Sequence, residues 1–156
     1  MRHRTSSTGM LLGLATGTFL FLHVHPFSHP AHGRTEVVAY AKQQIGKPYV
    51  WAAAGPWSFD CSGLTQRAYA AQGIGIPRTS QEQWADGPRT DHPRRGDLVF
   101  FAGADGTASD PGHVGIYLGP HKMIDAYGLG TVVRVEGFGT RNSAPGLQDV
   151  IGYTDP

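Results

Sequence analysis

The chain has 156 residues, 40% of them hydrophobic, which suffices for one domain with a proper core and is too short for two comfortable ones. A formal net charge of +1 sets up no field suited to nucleic acid, and no Lys/Arg run is interleaved with aromatics. With Cys61 as the single cysteine there is no internal disulfide, so the fold must stand on its core alone.

Met1-Arg2-His3-Arg4 and the uncharged stretch Met10 to Leu22 have the basic start and short apolar core of a secretory signal. That core is shorter than the roughly 20 residues that span a bilayer, so no stable membrane span is expected; an uncleaved signal anchor is the alternative. No clean small-x-small triplet follows Leu22, and the best cleavage candidate lies around Ala31-His32-Gly33. Residues 23 to 32 form a His- and Pro-rich linker with no hydrophobic period. Its imidazoles offer a weak zinc or copper tract, but a tether or discarded leader suits the prolines better. Residues 1–33 are therefore expected to be leader and linker, and 34–156 the functional domain.

Thr35 to Ile45 reads as a first helix, with Val37, Val38, Ala41 and Ile45 on one side and Gly46 ending it. Lys47-Pro48 forces extended chain, and Tyr49 to Phe59 passes from a short strand into a small-residue loop. A second helix runs from Cys61 to about Gln72, with Asp60 as N-cap, Leu64, Ala68 and Ala71 at helical spacing and Gly73 as stop. A capping box at Thr79/Glu82, or at Ser80/Gln83, opens a third helical segment through Trp84. Beyond the turn-rich Asp91 to Gly96 the pattern becomes alternating and β-branched. Strands are expected at 97–101, 113–118, 122–127, 131–135 and 150–153. Helices first and a meander afterwards imply an α+β domain, helices packed on one face of an antiparallel sheet.

Cys61 at a helix start is a nucleophile candidate. The first helical turn leaves N–H groups unpaired and carries partial positive charge, which favours a thiolate and can meet an oxyanion. The bland alternative is a small buried hydrophobe, but an unpaired thiol outside the cytoplasm is exposed to oxidation and is costly to keep for packing only. A thiolate enzyme needs a base and a group that orients it. His113 is the best base candidate: the period of two in His113 to Leu118 sends Val114, Ile116 and Leu118 to the core and His113, Gly115 and Tyr117 to the opposite, more polar face. Gly119-Pro120-His121 turns the chain back, and an antiparallel register with an even index sum puts Asp125 opposite His113 or one pair away. An ionised Asp there fixes the imidazole tautomer. His92, in a Pro-flanked turn, and His121, at a hairpin tip, are less well anchored.

Gly46-Lys47-Pro48-Tyr49-Val50-Trp51, Phe59 to Leu64, Pro77-Arg78-Thr79-Ser80, Arg95 to Phe101 and Gly112 to Gly119 together resemble the ordered motifs of the NlpC/P60 cysteine peptidases. The resemblance spans roughly residues 35 to 153. It implies a papain-like α+β enzyme, with nucleophile, base and third polar residue at Cys61, His113 and Asp125. It implies as substrate the stem peptides of bacterial peptidoglycan, cut between D-glutamate and the diamino acid that follows. By the same resemblance Tyr49 lies beside the nucleophile and helps meet the oxyanion, while Asp60, Ser62, Arg78 and Ser80 line the substrate cleft. For Arg78 and Ser80, a surface salt bridge and a helix cap are equally good readings. No metal or organic cofactor is called for, and a secreted or wall-associated monomer is expected.

Two departures stand out. Trp51-Ala52-Ala53 replaces the usual Trp-Gly-Gly, and the methyl groups are expected to exclude positive φ there. The third polar position, often His in the family, is Asp125. An acyl-transferase or amidase on the same scaffold and a non-catalytic wall-binding module are the competing functions.

Overall fold

The computed structural model describes residues 31–156, with side chains from Arg34 onward. The expected signal segment and most of the His/Pro-rich linker lie outside the described residues. Three helices precede five strands: α1 (Ala31–Gln43), α2 (Cys61–Ala70), α3 (Ser80–Asp86), β1 (Leu98–Phe101), β2 (His113–Gly119), β3 (Lys122–Asp125), β4 (Arg134–Gly137) and β5 (Val150–Thr154). The strands form one sheet in the order β4-β3-β2-β1-β5, every neighbouring pair antiparallel. No helix among the described residues is long and apolar enough to cross a membrane.

Local chemistry explains the helix ends. Asp60 in extended conformation accepts the Gly63 N–H at 2.6 Å and opens α2. Thr79 and Glu82 form the reciprocal capping box that opens α3, so the Ser80/Gln83 alternative is not the one used. Helix α1 stops at Gln43, two residues short of its expected end, and Ile45 lies 46% exposed in the following turn instead of continuing the apolar side. Helix α2 ends at Ala70, followed by a turn through Gly73, whose φ is 75°.

Val37, Val38 and Ala41 of α1 and Leu64, Ala68 and Tyr69 of α2 bury one face of the sheet through Leu98, Phe100, Val114, Ile116 and Ile124. The other face is apolar as well. Val99, Phe101, Tyr117 and Met123 pack beneath Phe138 and Leu147 from the segment between β4 and β5. This corrects the expectation of a polar face opposite the helices, and it explains the unbroken apolar run Leu98 to Phe101, which is buried on both sides.

The strand expected at 131–135 begins only at Arg134. Thr131 and Val133 turn their backbone toward the segment after α1: Gly46 N–H meets Val133 O at 2.9 Å, Tyr49 N–H meets Thr131 O at 3.0 Å, and Val133 N–H meets Lys47 O at 2.8 Å. Pro48, having no N–H, still fits this short bridge. The third strand ends at Asp125 and does not reach Tyr127.

Charge closes the domain at the edge of β1. Arg34 of α1 pairs with the fully buried Asp97 and with Asp155 near the C-terminus, and Arg94 also reaches Asp155 at 2.6 Å.

Candidate active site

Cys61 is the first residue of α2 and is half-buried. At that position its N–H has no acceptor one turn back in the helix, and none is supplied elsewhere among the described residues. The turn is held against the preceding loop at Gly63: a Cβ there would lie 2.2 Å from the Ala53 carbonyl oxygen, so only glycine permits the close approach. The loop folds back on itself, with Asp60 N–H on Ala53 O at 2.8 Å and Val50 N–H on Phe59 O at 3.0 Å, and so brings Tyr49 and Trp51 to the start of α2.

His113, the first residue of β2, is 3% exposed. Its Nε2 lies 2.9 Å from Oδ2 of the fully buried Asp125. The register Tyr117↔Met123 and Ile116↔Ile124, carried one step further, sets Asp125 opposite Gly115, one pair from His113. Gly115 leaves the diagonal open, since a Cβ there would lie 3.4 Å from Asp125 Cβ and 2.5 Å from Met123 Sδ. With Nε2 occupied by Asp125, Nδ1 is the ring nitrogen left for the thiol. Phe101, at a centroid distance of 6.0 Å, and Tyr127, edge-on at 5.3 Å, wall the imidazole from solvent.

Burial disfavours the imidazolium, but the hydrogen bond to Asp125 and the influence of Cys61 and Asp125 as neighbouring acidic groups outweigh it, and the His113 pKa is pushed up to about 10. The arrangement therefore keeps a proton on His113 beside the sulfur. Burial, then the neighbouring charges of Cys61, Asp60 and Asp105, pushes the Tyr49 phenol up, so its hydroxyl keeps its proton and can donate.

A cleft of about 230 Å³ opens over the sulfur, lined by Trp51, Ala52, Asp60 to Ser62, Arg78 to Gln81, Asp105 and Gly112. On one wall Arg78 grips Asp60 with Nη1 at 3.0 Å from Oδ1 and Nη2 at 2.6 Å from Oδ2, and Nη1 also donates to Ser62 Oγ at 3.0 Å. Of the residues singled out from sequence, Asp60, Cys61, Ser62, Arg78 and Ser80 meet at this cleft, whereas His113 and Asp125, paired with each other, do not line it; Gly112, the neighbour of His113, does. Tyr49 stands beside Cys61 without lining the cleft. His92 and His121 belong to other parts of the surface. Among the described residues no group of His, Cys, Asp and Glu side chains is arranged to hold a metal ion.

Ala52 overturns an expectation. It adopts a φ of 61° on the cleft rim, the left-handed conformation that its methyl group was expected to forbid. The hydrogen bonds on either side, Ala53 N–H to Val50 O at 3.1 Å and Asp60 N–H to Ala53 O, hold the loop in the shape glycine would adopt freely.

Three contributors escaped sequence reading. Buried Gln83 donates to Ser62 O at 3.0 Å and Pro77 O at 2.9 Å and lies 2.7 Å from Thr65 Oγ1, fastening the Pro77–Ser80 wall to the start of α2. Its only sequence signal was the alternative capping box. Asp105 comes from the loop between β1 and β2, where nothing in the local pattern marks a cleft, and Gly112 opened a motif without being assigned to one.

Three helices followed by a five-stranded antiparallel sheet, with the lone cysteine at a helix start and a histidine–aspartate pair on the sheet, make this an α+β domain of the papain-like class. The family model described as the NlpC/P60 family matches residues 46–144, and the chain belongs to this family of cysteine peptidases. It is 45% identical over 92 residues to the probable endopeptidase p60 of Listeria welshimeri, across 58% of this chain and 17% of that protein. It is 39% identical over 97 residues to the γ-D-glutamyl-L-lysine dipeptidyl-peptidase of Bacillus cereus, across 61% of this chain and 29% of that one. The peptidoglycan hydrolase RipB of Mycobacterium tuberculosis superposes with a TM-score of 0.65 at 28% identity, over 84% of this chain and 68% of RipB. The chain thus spans less than a third of the two curated relatives' length.

Proposed function

We propose that residues 34–156 are the catalytic domain of an exported endopeptidase that hydrolyses peptidoglycan stem peptides between D-glutamate and the following diamino acid. Cys61 is the nucleophile, His113 the general acid and base, and Asp125 the residue that orients His113. The observation that carries this reading is the buried His113–Asp125 pair, 2.9 Å apart, whose imidazole feels the one cysteine, which itself lines an open cleft. The names of the B. cereus dipeptidyl-peptidase and of RipB supply the substrate class.

The Cys61 thiolate attacks the carbonyl carbon, and the carbonyl oxygen takes the electron pair. Its charge is met by the Cys61 N–H and the Tyr49 hydroxyl. As the carbonyl re-forms, the C–N bond breaks and His113 hands its proton to the departing amine, leaving a thioester. A water then attacks the thioester, giving a proton to His113, and the carboxylic acid departs as the thiolate returns. Thiolate, imidazole and amide donors suffice for each step.

Export rests on the basic start and the apolar stretch Met10 to Leu22. The test of function is incubation of the 156-residue protein with purified peptidoglycan, beside Cys61→Ala, and mass analysis of the released fragments. New amino termini on the diamino acid are expected from the native protein alone. Release of such fragments by both proteins, or by neither, would end the proposal.

A further inference from the structure

The cleft contains one charge with no counterpart. Asp60 is neutralised by the two-pronged grip of Arg78, whereas Asp105 forms no ion pair among the described residues. Asp105 is exposed, lines the cleft, and adds to the charges that push up the Tyr49 phenol. Its side of the cleft is identifiable. A Cβ on Gly112 would stand 3.3 Å from the Asp105 carbonyl carbon and 2.8 Å from the Gly106 nitrogen, so the backbone around Asp105 packs directly against the residue preceding His113. Gly112 N–H meets Ala102 O at 3.0 Å and holds the base of this loop shut.

His113 delivers its proton to the departing amine, so the side of the cleft nearest His113 is the side that receives the leaving residue. In a stem peptide the leaving residue is the diamino acid, and its side chain carries a second amine. The carboxylates of the peptide would be repelled by Asp105; a free side-chain ammonium would be drawn to it. An amine already consumed in a cross-link is an uncharged amide and gains nothing.

We infer that Asp105 is a specificity-determining residue that takes the free side-chain ammonium of the leaving diamino acid, so that the domain acts on stem peptides not yet cross-linked through that amine. This rests on the proposed endopeptidase function but is read out separately from it. An exposed carboxylate–ammonium pair in such a position changes affinity about fivefold at low salt, and the effect fades as the screening length shrinks to roughly 3 Å at 1 M salt.

The experiment measures binding of L-alanyl-γ-D-glutamyl-L-lysine and its Nε-acetyl derivative to the full chain carrying Cys61→Ala, with and without Asp105→Asn, by calorimetry at 20 mM and 1 M salt. The expected result is about fivefold tighter binding of the free amine than of the acetylated peptide at low salt, a preference lost at high salt and lost in Asp105→Asn. Asp105→Lys should reverse the preference. Equal binding of the two peptides to the Cys61→Ala protein, or a preference that survives Asp105→Asn, would overturn the inference. Turnover by the Cys61 protein is scored independently, so endopeptidase activity without discrimination defeats the inference and spares the function. Discrimination in binding without turnover does the reverse.

Discussion

Replacing Asp125 with asparagine tests the centre of the site. In the folded protein His113 holds its proton up to about pH 10, against an ordinary value of 6.5. A histidine whose folded pKa is raised contributes stability that is fully present below pH 6.5 and is lost as pH climbs from there through about 10. Asp125 is 0% exposed and supplies the main hydrogen bond that opposes the burial penalty. Without its charge, the burial penalty is opposed only by Cys61, and His113 gives up its proton at lower pH than in the native protein. Breaking a buried pair by removing one partner costs about 3–5 kcal/mol. The amide keeps an acceptor oxygen in place and the imidazole can escape by deprotonating, so the expected cost at pH 6 is the lower figure, about 3 kcal/mol. Urea denaturation of native protein and Asp125→Asn between pH 6 and pH 10 measures it, with reducing agent present throughout. The gap between the two proteins should be widest at pH 6 and close as pH rises, because the other titrating groups are common to both. The midpoint of the His113 ring resonance in a pH titration should move to lower pH, and peptidase activity should fall by about a hundredfold or more. A gap in stability that is constant across that range would refute the charge-pair account.

The strained rim and the tight helix start give two further outcomes. Ala52→Gly removes a methyl group from a residue at φ 61° and should stabilise the protein by about 1 kcal/mol, raising Tm by roughly 3 °C in calorimetry. An unchanged or lower Tm would show that the loop gains at least as much from alanine's stiffness in the unfolded chain as it loses to strain. Gly63→Ala drives a Cβ to within 2.2 Å of a backbone carbonyl that cannot swing aside, and should cost about 2 kcal/mol or more in urea denaturation and displace Cys61 enough to slow its reaction with a thiol reagent. Wild-type stability with wild-type thiol reactivity would contradict the close packing described.

Much of the frame was legible because its signals are local. Asp60 before Cys61, and Thr79 three residues before Glu82, carry the helix starts in single side-chain-to-backbone bonds. The two-residue period of β2 limits which residues share a face with His113, but the even register that brings Asp125 there is set by a shift between Tyr117 and Gly119, since the pair next to the turn, Gly119 and Lys122, has the opposite parity. What failed was the inference from one strand to its surroundings. The face bearing His113 was expected to be polar, and it lies under Phe138 and Leu147, which arrive from a segment with no strand pattern of its own. Thr131 to Val133 looked like sheet, but the nearest free backbone groups were those around Pro48. Ala52 was read from its own steric preference, which the flanking hydrogen bonds override.

The amino-acid order by itself determined where the thiol sits on its helix, which strand bears His113 and which residues can share its face, because these follow from bonds and periods spanning a few residues. Only the tertiary structure decided that His113 is dry, that Asp125 is its buried partner across Gly115, and that Asp105 shares a cleft with Arg78. Burial and uncompensated charge are sums over atoms brought together from distant parts of the chain, and no short window of sequence contains them.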